Sequence, residues 1–318
     1  MAHCFFVPAG LLWLAGLGLL GCAEGQGRAS VIGELASHLR SEYAFEEMGA
    51  RLATTLQDNE ATGAYAEATS AEALALALTR DLQAVSQDRH LRVVPLQPPP
   101  GAQGTPPGPP PNGAIEEVRV LEGNIGYLRM LAVPALAQAR GAVAAAFAGL
   151  QQTDALILDC RDNGGGDPRT VAWYVSHLLE GPPIVINRFH ARGGSVEEFA
   201  TTDLGALSYG GVKPVFVLTS PRTFSGGEEL AYDLQAMGRA VLVGEVTGGG
   251  ANPARAVPIG MNLEQPLLAF IPFAYPENPF THANWEGRGV QPDLEVPEQR
   301  ALEVALAEAR DLLAQGHE

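Results

Sequence analysis

The sequence predicts an α/β domain preceded by a small helical one, and three observations predict it. Between residues 115 and 313, short apolar runs rich in β-formers alternate with helix-period segments, as in strands joined by crossover helices. Between residues 31 and 94 the apolar residues recur mostly at helical spacing. A stretch at 97–113, holding Pro98-Pro99-Pro100 and Pro109-Pro110-Pro111, separates the two patterns. The expected organisation is a leader at 1–22, a helical N-terminal domain at 23–95, a linker at 96–113 and a core at 114–318.

The leader is apolar over residues 5–20, shorter than the roughly 20 residues of a membrane span. It ends in Leu19-Leu20-Gly21-Cys22 and resembles a bacterial lipoprotein signal, in which Cys22 is lipidated and tethers the chain to the cell envelope. Only His3, and no Lys or Arg, precedes the apolar run, so an ordinary cleaved signal or a short uncleaved anchor stays open. With Cys22 lipidated, Cys160 stands alone and no intrachain disulfide is expected.

Residues 25–30 read as a polar tether. Val31, Leu35, Leu39 and Tyr43 then form one four-residue stripe, Phe45, Met48, Leu52 and Leu56 a second, and Leu74, Leu78, Leu82 and Val85 a third. Each stripe gives a helix one face to bury, so the three predict a small bundle. Leu91-Arg92-Val93-Val94 reads as a strand. In the core, strands are expected at 118–121, 125–130, 155–159, 184–187, 215–218, 240–243 and within 266–273. Helices are expected at 138–150, 169–179, from Glu228 onward, and at 299–313. The run at 155–159 lacks polar alternation, the mark of a strand covered on both faces.

Charged residues make up 18% of the chain and apolar ones 46%, which suits a packed core rather than disorder. A formal net charge of −16 leaves no basic stripe for nucleic acid. H-E-x-x-H is absent, and no other metal spacing occurs, so neither metal nor cofactor is expected.

Two glycine-rich junctions carry the candidate chemistry. Ser225 stands before Gly226-Gly227, between a strand and a helix. Free N–H groups at a helix N-terminus can stabilise an oxyanion, which makes the site suitable for a nucleophile; the plainer alternative is a helix cap. The second junction, Asp159-Cys160-Arg161-Asp162-Asn163-Gly164-Gly165-Gly166, lacks the G-x-x-x-x-G-K-[ST] phosphate-loop pattern. Its glycines could supply further oxyanion donors, Gly164 or Gly165 beside Gly226.

Together these motifs resemble the tail-specific (C-terminal-processing) serine proteases. The matching pieces are Leu156 to Asp159 running into Asn163-Gly164-Gly165-Gly166, Thr223-Phe224-Ser225-Gly226-Gly227-Glu228-Glu229, Gly238-Arg239-Ala240 to Gly244-Glu245, and Gly287-Arg288-Gly289-Val290-Gln291-Pro292-Asp293. Asp88-Arg89-His90-Leu91-Arg92-Val93 and Asn284-Trp285-Glu286-Gly287 are most similar to the branch of the interphotoreceptor retinoid-binding protein modules. The resemblance implies a crotonase/ClpP-like core, a helical N-terminal domain and Ser225 as nucleophile. It does not carry over a base directly. The processing proteases use a lysine where this chain has Gly250, and Lys213, its only lysine, lies at the far end of a strand, roughly 20 Å from Ser225. The tricorn-like branch uses histidine and glutamate, and the positions similar to these are His90 and Glu286.

The alternatives are a His90 that fixes the domain junction and a Glu286 paired with Arg288; His282 is the substitute base. Trp285 is expected to pack. Three activities follow: a serine peptidase cleaving unstructured polypeptide, C-terminal tails included, through an acyl-enzyme on Ser225; a binding module for an apolar ligand such as a retinoid or fatty acid; or a hydrolase of small esters or amides.

Overall fold

The apolar stripes of the N-terminal segment fold as helices because each puts its large residues on one side. In the computed structural model, which describes residues 15–96, 111–262 and 264–315, these are α1 (Ala15–Glu42), α2 (Glu46–Ala61) and α3 (Ala71–Ser86). Ser70 caps α3 by accepting from the Ala73 N–H, and Gln87, at φ 60°, ends it. Residues 25–30, expected as a tether, belong to α1, and Arg28 pairs with Glu60 of α2 at 3.0 Å. Residues 1–14 of the leader and 97–110 of the linker lie outside the described residues, as does the side chain of Cys22.

Beyond α3 come β1 (Arg92–Pro95), a single 3-10 turn at Pro111–Ala114, β2 (Ile115–Leu121), β3 (Ile125–Met130), α4 (Leu136–Leu150), β4 (Ala155–Asp159) and α5 (Pro168–His177). A hairpin of β5 (Val185–Ala191) and β6 (Val196–Ala200) precedes β7 (Val215–Thr219), α6 (Gly226–Ala236) and β8 (Val241–Gly244). The chain finishes with β9 (Ala254–Ile259), β10 (Leu267–Pro272), β11 (Ala274–Glu277), β12 (Leu294–Glu295) and α7 (Glu298–Gln315).

Six strands make the main sheet, in the order β12-β8-β7-β4-β3-β2, parallel throughout except for the antiparallel edge strand β2. Strand alternation splits its side chains between two cores. Leu156, Leu158, Val215 and Val217 face the helices α4, α5 and α6, whereas Ile157, Phe216 and Leu218 face α7. Ala301, Ala305 and Ala309, four residues apart, let α7 lie close on that second face.

The helical bundle is not closed by helices alone. Its core, built on Leu35, Leu39, Leu52, Leu56, Leu78 and Leu82, also takes in Val93, Ile259, Leu267, Ala269 and Ile271 from the antiparallel sheet β1-β10-β9. A third sheet, β11-β5-β6, packs Phe189 and Phe199 against Ala274. None of the described helices is long and apolar enough to cross a membrane.

Parallel strands share a direction, so the loops after β4, β7 and β8 emerge at one edge of the sheet. The edge outside the carboxyl ends of parallel strands is where α/β folds build their sites. Here it receives residues 160–167, 220–225 and 245–253.

Candidate active site

Ser225 occupies the sharp turn from β7 into α6, with φ 53° and ψ −123°, a backbone conformation that non-glycine residues rarely adopt. Two features hold it there. Its N–H donates to Glu228 Oε2 at 2.8 Å, and the 163–166 loop packs against its flank. A Cβ on Gly226 would come within 2.9 Å of the Gly166 nitrogen, and one on Gly227 within 2.8 Å of the Asn163 carbonyl. The two glycines are therefore required by close approach. Ser225 opens into a cleft of about 430 Å³ that His90 also lines.

Glu228 is fully buried beneath this turn. Besides the Ser225 N–H, its carboxylate accepts from Thr247 Oγ1 at 2.5 Å, Gly249 N–H at 2.6 Å and Gly250 N–H at 2.9 Å. Burial pushes the carboxyl above its ordinary range, and these four donors pull it part of the way back. One side chain thus fixes both the serine turn and the 247–250 loop.

His90 lies on the turn between α3 and β1. Asp88 shapes that turn: Oδ1 accepts from the His90 N–H at 3.0 Å, and Oδ2 from Tyr43 Oη at 3.2 Å and Asn252 Nδ2 at 3.0 Å. The His90 ring leans on Phe224, with centroids 4.6 Å apart. Burial, aided by the charge on Arg92, lowers its pKa to about 4, so the imidazole is neutral at ordinary pH. Nδ1 is sealed from solvent without a hydrogen-bond partner among the described residues.

Glu286 approaches from the loop after β11. Its Oε2 accepts from the N–H groups of Ala251 at 2.6 Å and Asn252 at 2.9 Å, while Oε1 is buried and unpartnered among the described residues. Burial, then repulsion from Asp88, raises the carboxyl to about 7. A ring nitrogen of His90 and a carboxylate oxygen from each of Asp88 and Glu286 lie within 4.8 Å of one another. Such a set has the donors for a divalent cation. It also has those for an imidazole steered by a carboxylate.

Residues 124–296, more than half of the chain, match the model of peptidase family S41. The chain belongs to this family. Residues 26–121 of this S41 peptidase match the model described as the N-terminal domain of Peptidase_S41 in eukaryotic IRBP. Among solved structures, a candidate peptidase of Parabacteroides merdae is similar at TM-score 0.63 and 16% identity, covering 89% of this chain and 96% of that one. The photosystem II D1 C-terminal processing protease matches at TM-score 0.53 and 15% identity, over 86% of this chain and 94% of that one. The tricorn protease matches at TM-score 0.57 and 12% identity, over 92% of this chain but 37% of its own. At these identities the likeness is one of fold, and it agrees with the expected crotonase-like core bearing a helical N-terminal part.

Within this S41 peptidase the expected oxyanion donors need one correction. The Gly164 N–H already donates to the Leu131 carbonyl at 3.0 Å and the Gly165 N–H to Asn163 Oδ1 at 2.9 Å, so neither is free. Gly226 and Gly166 carry the N–H groups without a backbone partner among the described residues. Gly166 has φ 147°, and a Cβ there would lie 2.0 Å from the Val133 carbonyl oxygen, so no other residue fits.

The other sequence candidates divide clearly. A Cβ at Gly250 would come within 2.2 Å of the Phe224 ring and 2.9 Å of His90 Cε1; those rings fill the space a lysine would need. Lys213, ahead of β7, gives its ammonium to the Gln151 carbonyl at 2.6 Å and covers the Tyr209 ring. His282 is exposed and faces Glu277 at 3.4 Å, outside the lining of the cleft. Arg288 donates to the Asn284 carbonyl rather than to Glu286. Trp285 is buried, and its Nε1–H donates to the Gly250 carbonyl at 3.2 Å.

Sequence reasoning missed Glu228, Asp88, Asn252 and Gly166. Ser225-Gly226-Gly227-Glu228 is an S-x-x-E capping box, a signal that could have singled out Glu228. Asp88 and Asn252 meet across 164 positions of sequence, and nothing local announces that pairing.

Proposed function

We propose that this S41 member is a serine peptidase with Ser225 as nucleophile, His90 as general base and Glu286 as the group that orients His90. The observation that carries the reading is convergence. Ser225 and His90 line one cleft, and His90 clusters with Glu286; Nδ1 of the one and Oε1 of the other are each buried without a partner among the described residues. A ring nitrogen of His90 and a carboxylate oxygen of Glu286 lie within 4.8 Å of one another, and catalytic hydrogen bonds commonly tighten only in the substrate complex.

In this mechanism the neutral Nε2 of His90 takes the Ser225 Oγ proton as Oγ attacks the peptide carbonyl. The N–H groups of Gly226 and Gly166 receive the oxyanion, strengthened by the N-terminal end of α6. Glu286 stabilises the imidazolium. As the C–N bond breaks, Nε2 returns the proton to the leaving amine, and an acyl ester remains on Ser225. Water, activated by the same imidazole, hydrolyses that ester.

An extended, unstructured polypeptide is the proposed substrate, because the cleft is open to solvent and rimmed by β-strands. Its apolar lining includes Phe189, Phe199, Phe270 and Phe273, which also fits the second reading, a site for a retinoid or fatty acid. Turnover separates the two. Wild type should degrade an unfolded protein such as reduced, carboxymethylated lactalbumin, and Ser225→Ala should not. No turnover, together with a melting temperature raised by a fatty acid, would transfer the cleft to the second reading.

A lipid anchor at Cys22 in the bacterial cell envelope belongs to the same proposal and rests on the leader sequence. Metabolic labelling with palmitate tests it, and Cys22→Ser should remove the label.

A further inference from the structure

His90 sits among more negative charge than the mechanism above needs. Orienting an imidazole takes one carboxylate. Here there are two: an oxygen of Asp88, an oxygen of Glu286 and a ring nitrogen of His90 all lie within 4.8 Å of one another. The main influences on the two acids are burial, neutral hydrogen-bond donors and, for Glu286, repulsion from Asp88 and Glu228; no arginine or lysine is among them. Two polar atoms of the cluster are also unspent. His90 is only 7% exposed, and its Nδ1, like Oε1 of Glu286, is buried without a partner among the described residues.

Both acids are held in advance. Asp88 accepts from Tyr43 Oη and Asn252 Nδ2, and Glu286 Oε2 from the N–H groups of Ala251 and Asn252. Outer donors of this kind fix ligating carboxylates in metal sites. One imidazole and two carboxylates suit zinc, which takes four ligands at about 2.0–2.2 Å, so that neighbouring ligand atoms stand about 3.4 Å apart. From a separation of at most 4.8 Å, closure asks each atom to move by less than about 1 Å. Water from the cleft that His90 lines would supply the fourth ligand. The charge of Arg92 reaches His90 and works against a cation, but the two carboxylates outnumber it. Asp88 and His90 are near neighbours in sequence while Glu286 comes from a distant loop, so no local metal spacing announces the set.

We propose that Asp88, His90 and Glu286 form a reversible zinc site, and that zinc bound there switches the enzyme off. The second half rests on the peptidase reading. Its chemistry does not depend on which ring nitrogen binds. Zinc on Nε2 occupies the lone pair that would take the Ser225 proton. Zinc on Nδ1 leaves the ring proton on Nε2, which then cannot accept another. In either case the carboxylate of Glu286 is drawn to the metal and no longer serves an imidazolium.

Calorimetric titration of zinc chloride into the Ser225→Ala protein is the test, because Ser225 is not a ligand. One zinc should bind with micromolar or tighter affinity, and Asp88→Asn, His90→Ala and Glu286→Gln should each weaken it at least tenfold. Magnesium, which prefers an octahedron of oxygens, should not compete. His282→Ala, which removes the exposed histidine beside Glu277, should change nothing. Cobalt(II) in place of zinc should show the visible bands of four-coordinate geometry. Melting curves report whether each variant folds; should Asp88→Asn fail, Glu286→Gln and the cobalt spectrum decide. In wild type, saturating zinc should slow phosphonylation of Ser225 by a fluorophosphonate at least 100-fold, and EDTA should restore it.

Zinc binding that survives all three substitutions, or the lack of any one-to-one binding, overturns the site. Binding through the three residues with no slowing of phosphonylation overturns the switch, while the peptidase reading stands. A wild type that binds zinc through them but never reacts with the fluorophosphonate removes the peptidase reading instead and keeps the site.

Discussion

Glu228→Gln is the substitution that best tests how Ser225, the proposed nucleophile, is held, because Glu228 touches no substrate in the proposed mechanism. Its carboxylate accepts four hydrogen bonds, from the N–H groups of Ser225, Gly249 and Gly250 and from Thr247 Oγ1. Glutamine has the same shape but only one oxygen, and its NH₂ would point at donors. At least one backbone N–H, and in practice two donors, would lose an acceptor at a site without solvent. Each orphaned donor costs about 1–3 kcal/mol. Relief from burying a charge offsets part of this, leaving a net loss of about 2–4 kcal/mol. Relaxation should follow at Ser225, whose positive φ depends on that N–H contact. As the turn relaxes, the Gly226 N–H moves from its aim, and loss of one oxyanion donor lowers kcat by about 10²–10³. The assays are thermal unfolding and kcat/KM on an unfolded polypeptide. A variant with wild-type melting temperature and wild-type kcat/KM would refute the claim that Glu228 holds the serine turn.

Three further outcomes are expected. Gly250→Ala puts a methyl into the Phe224 ring and against His90, so it should cost about 1–3 kcal/mol of stability and more than 100-fold in kcat/KM; unchanged kinetics would mean that neither ring needs its position. For pH, the proposed mechanism needs the ionised Glu286 to stabilise the imidazolium, and burial raises its carboxyl to about 7, so kcat/KM should rise with pH through about 7. Glu286→Gln should lower the rate and leave only the limb near 4 that His90 must show as the base, whereas a limb near 7 that survives the substitution would take that titration away from Glu286. Glu229 is buried on α6 with Oε1 unpartnered among the described residues, and burial raises its carboxyl to about 7. Its folded-state pKa lies above the unfolded value of about 4.3, so the folded state binds the extra proton between those values and stability is lost as pH rises through that window. Glu229→Gln should therefore raise the melting temperature at pH 8 and change it little at pH 4; an equal effect at both would contradict this.

Local periodicity explains what could be read in advance. The strands at β3, β4, β7 and β8 and the helices α4, α5 and α7 repeat patterns that a short window reveals. The β5–β6 hairpin escaped beyond its first residues because Val196-Glu197-Glu198-Phe199-Ala200 exposes most of its side chains and offers no clean alternation. Burial of Ile259, Leu267 and Ile271 against the N-terminal helices escaped because it joins segments some 200 residues apart, and no local pattern encodes such a contact. The same division runs through the site. Ser225 and the glycine loops were legible from their junctions, and His90 and Glu286 from resemblance. Gly166 is not distinguishable from Gly164 and Gly165 in the sequence, because sequence does not tell which N–H in a glycine run already has an acceptor.

The central claim is that Ser225, His90 and Glu286 act as one unit, and intact-mass analysis after exposure to a fluorophosphonate addresses it most directly. Wild type should gain a single phosphonyl adduct on Ser225, Ser225→Ala none, and His90→Ala and Glu286→Gln should react at least 100-fold and tenfold more slowly. A wild-type protein that stays unmodified, or a His90→Ala variant that reacts at the wild-type rate, would contradict it.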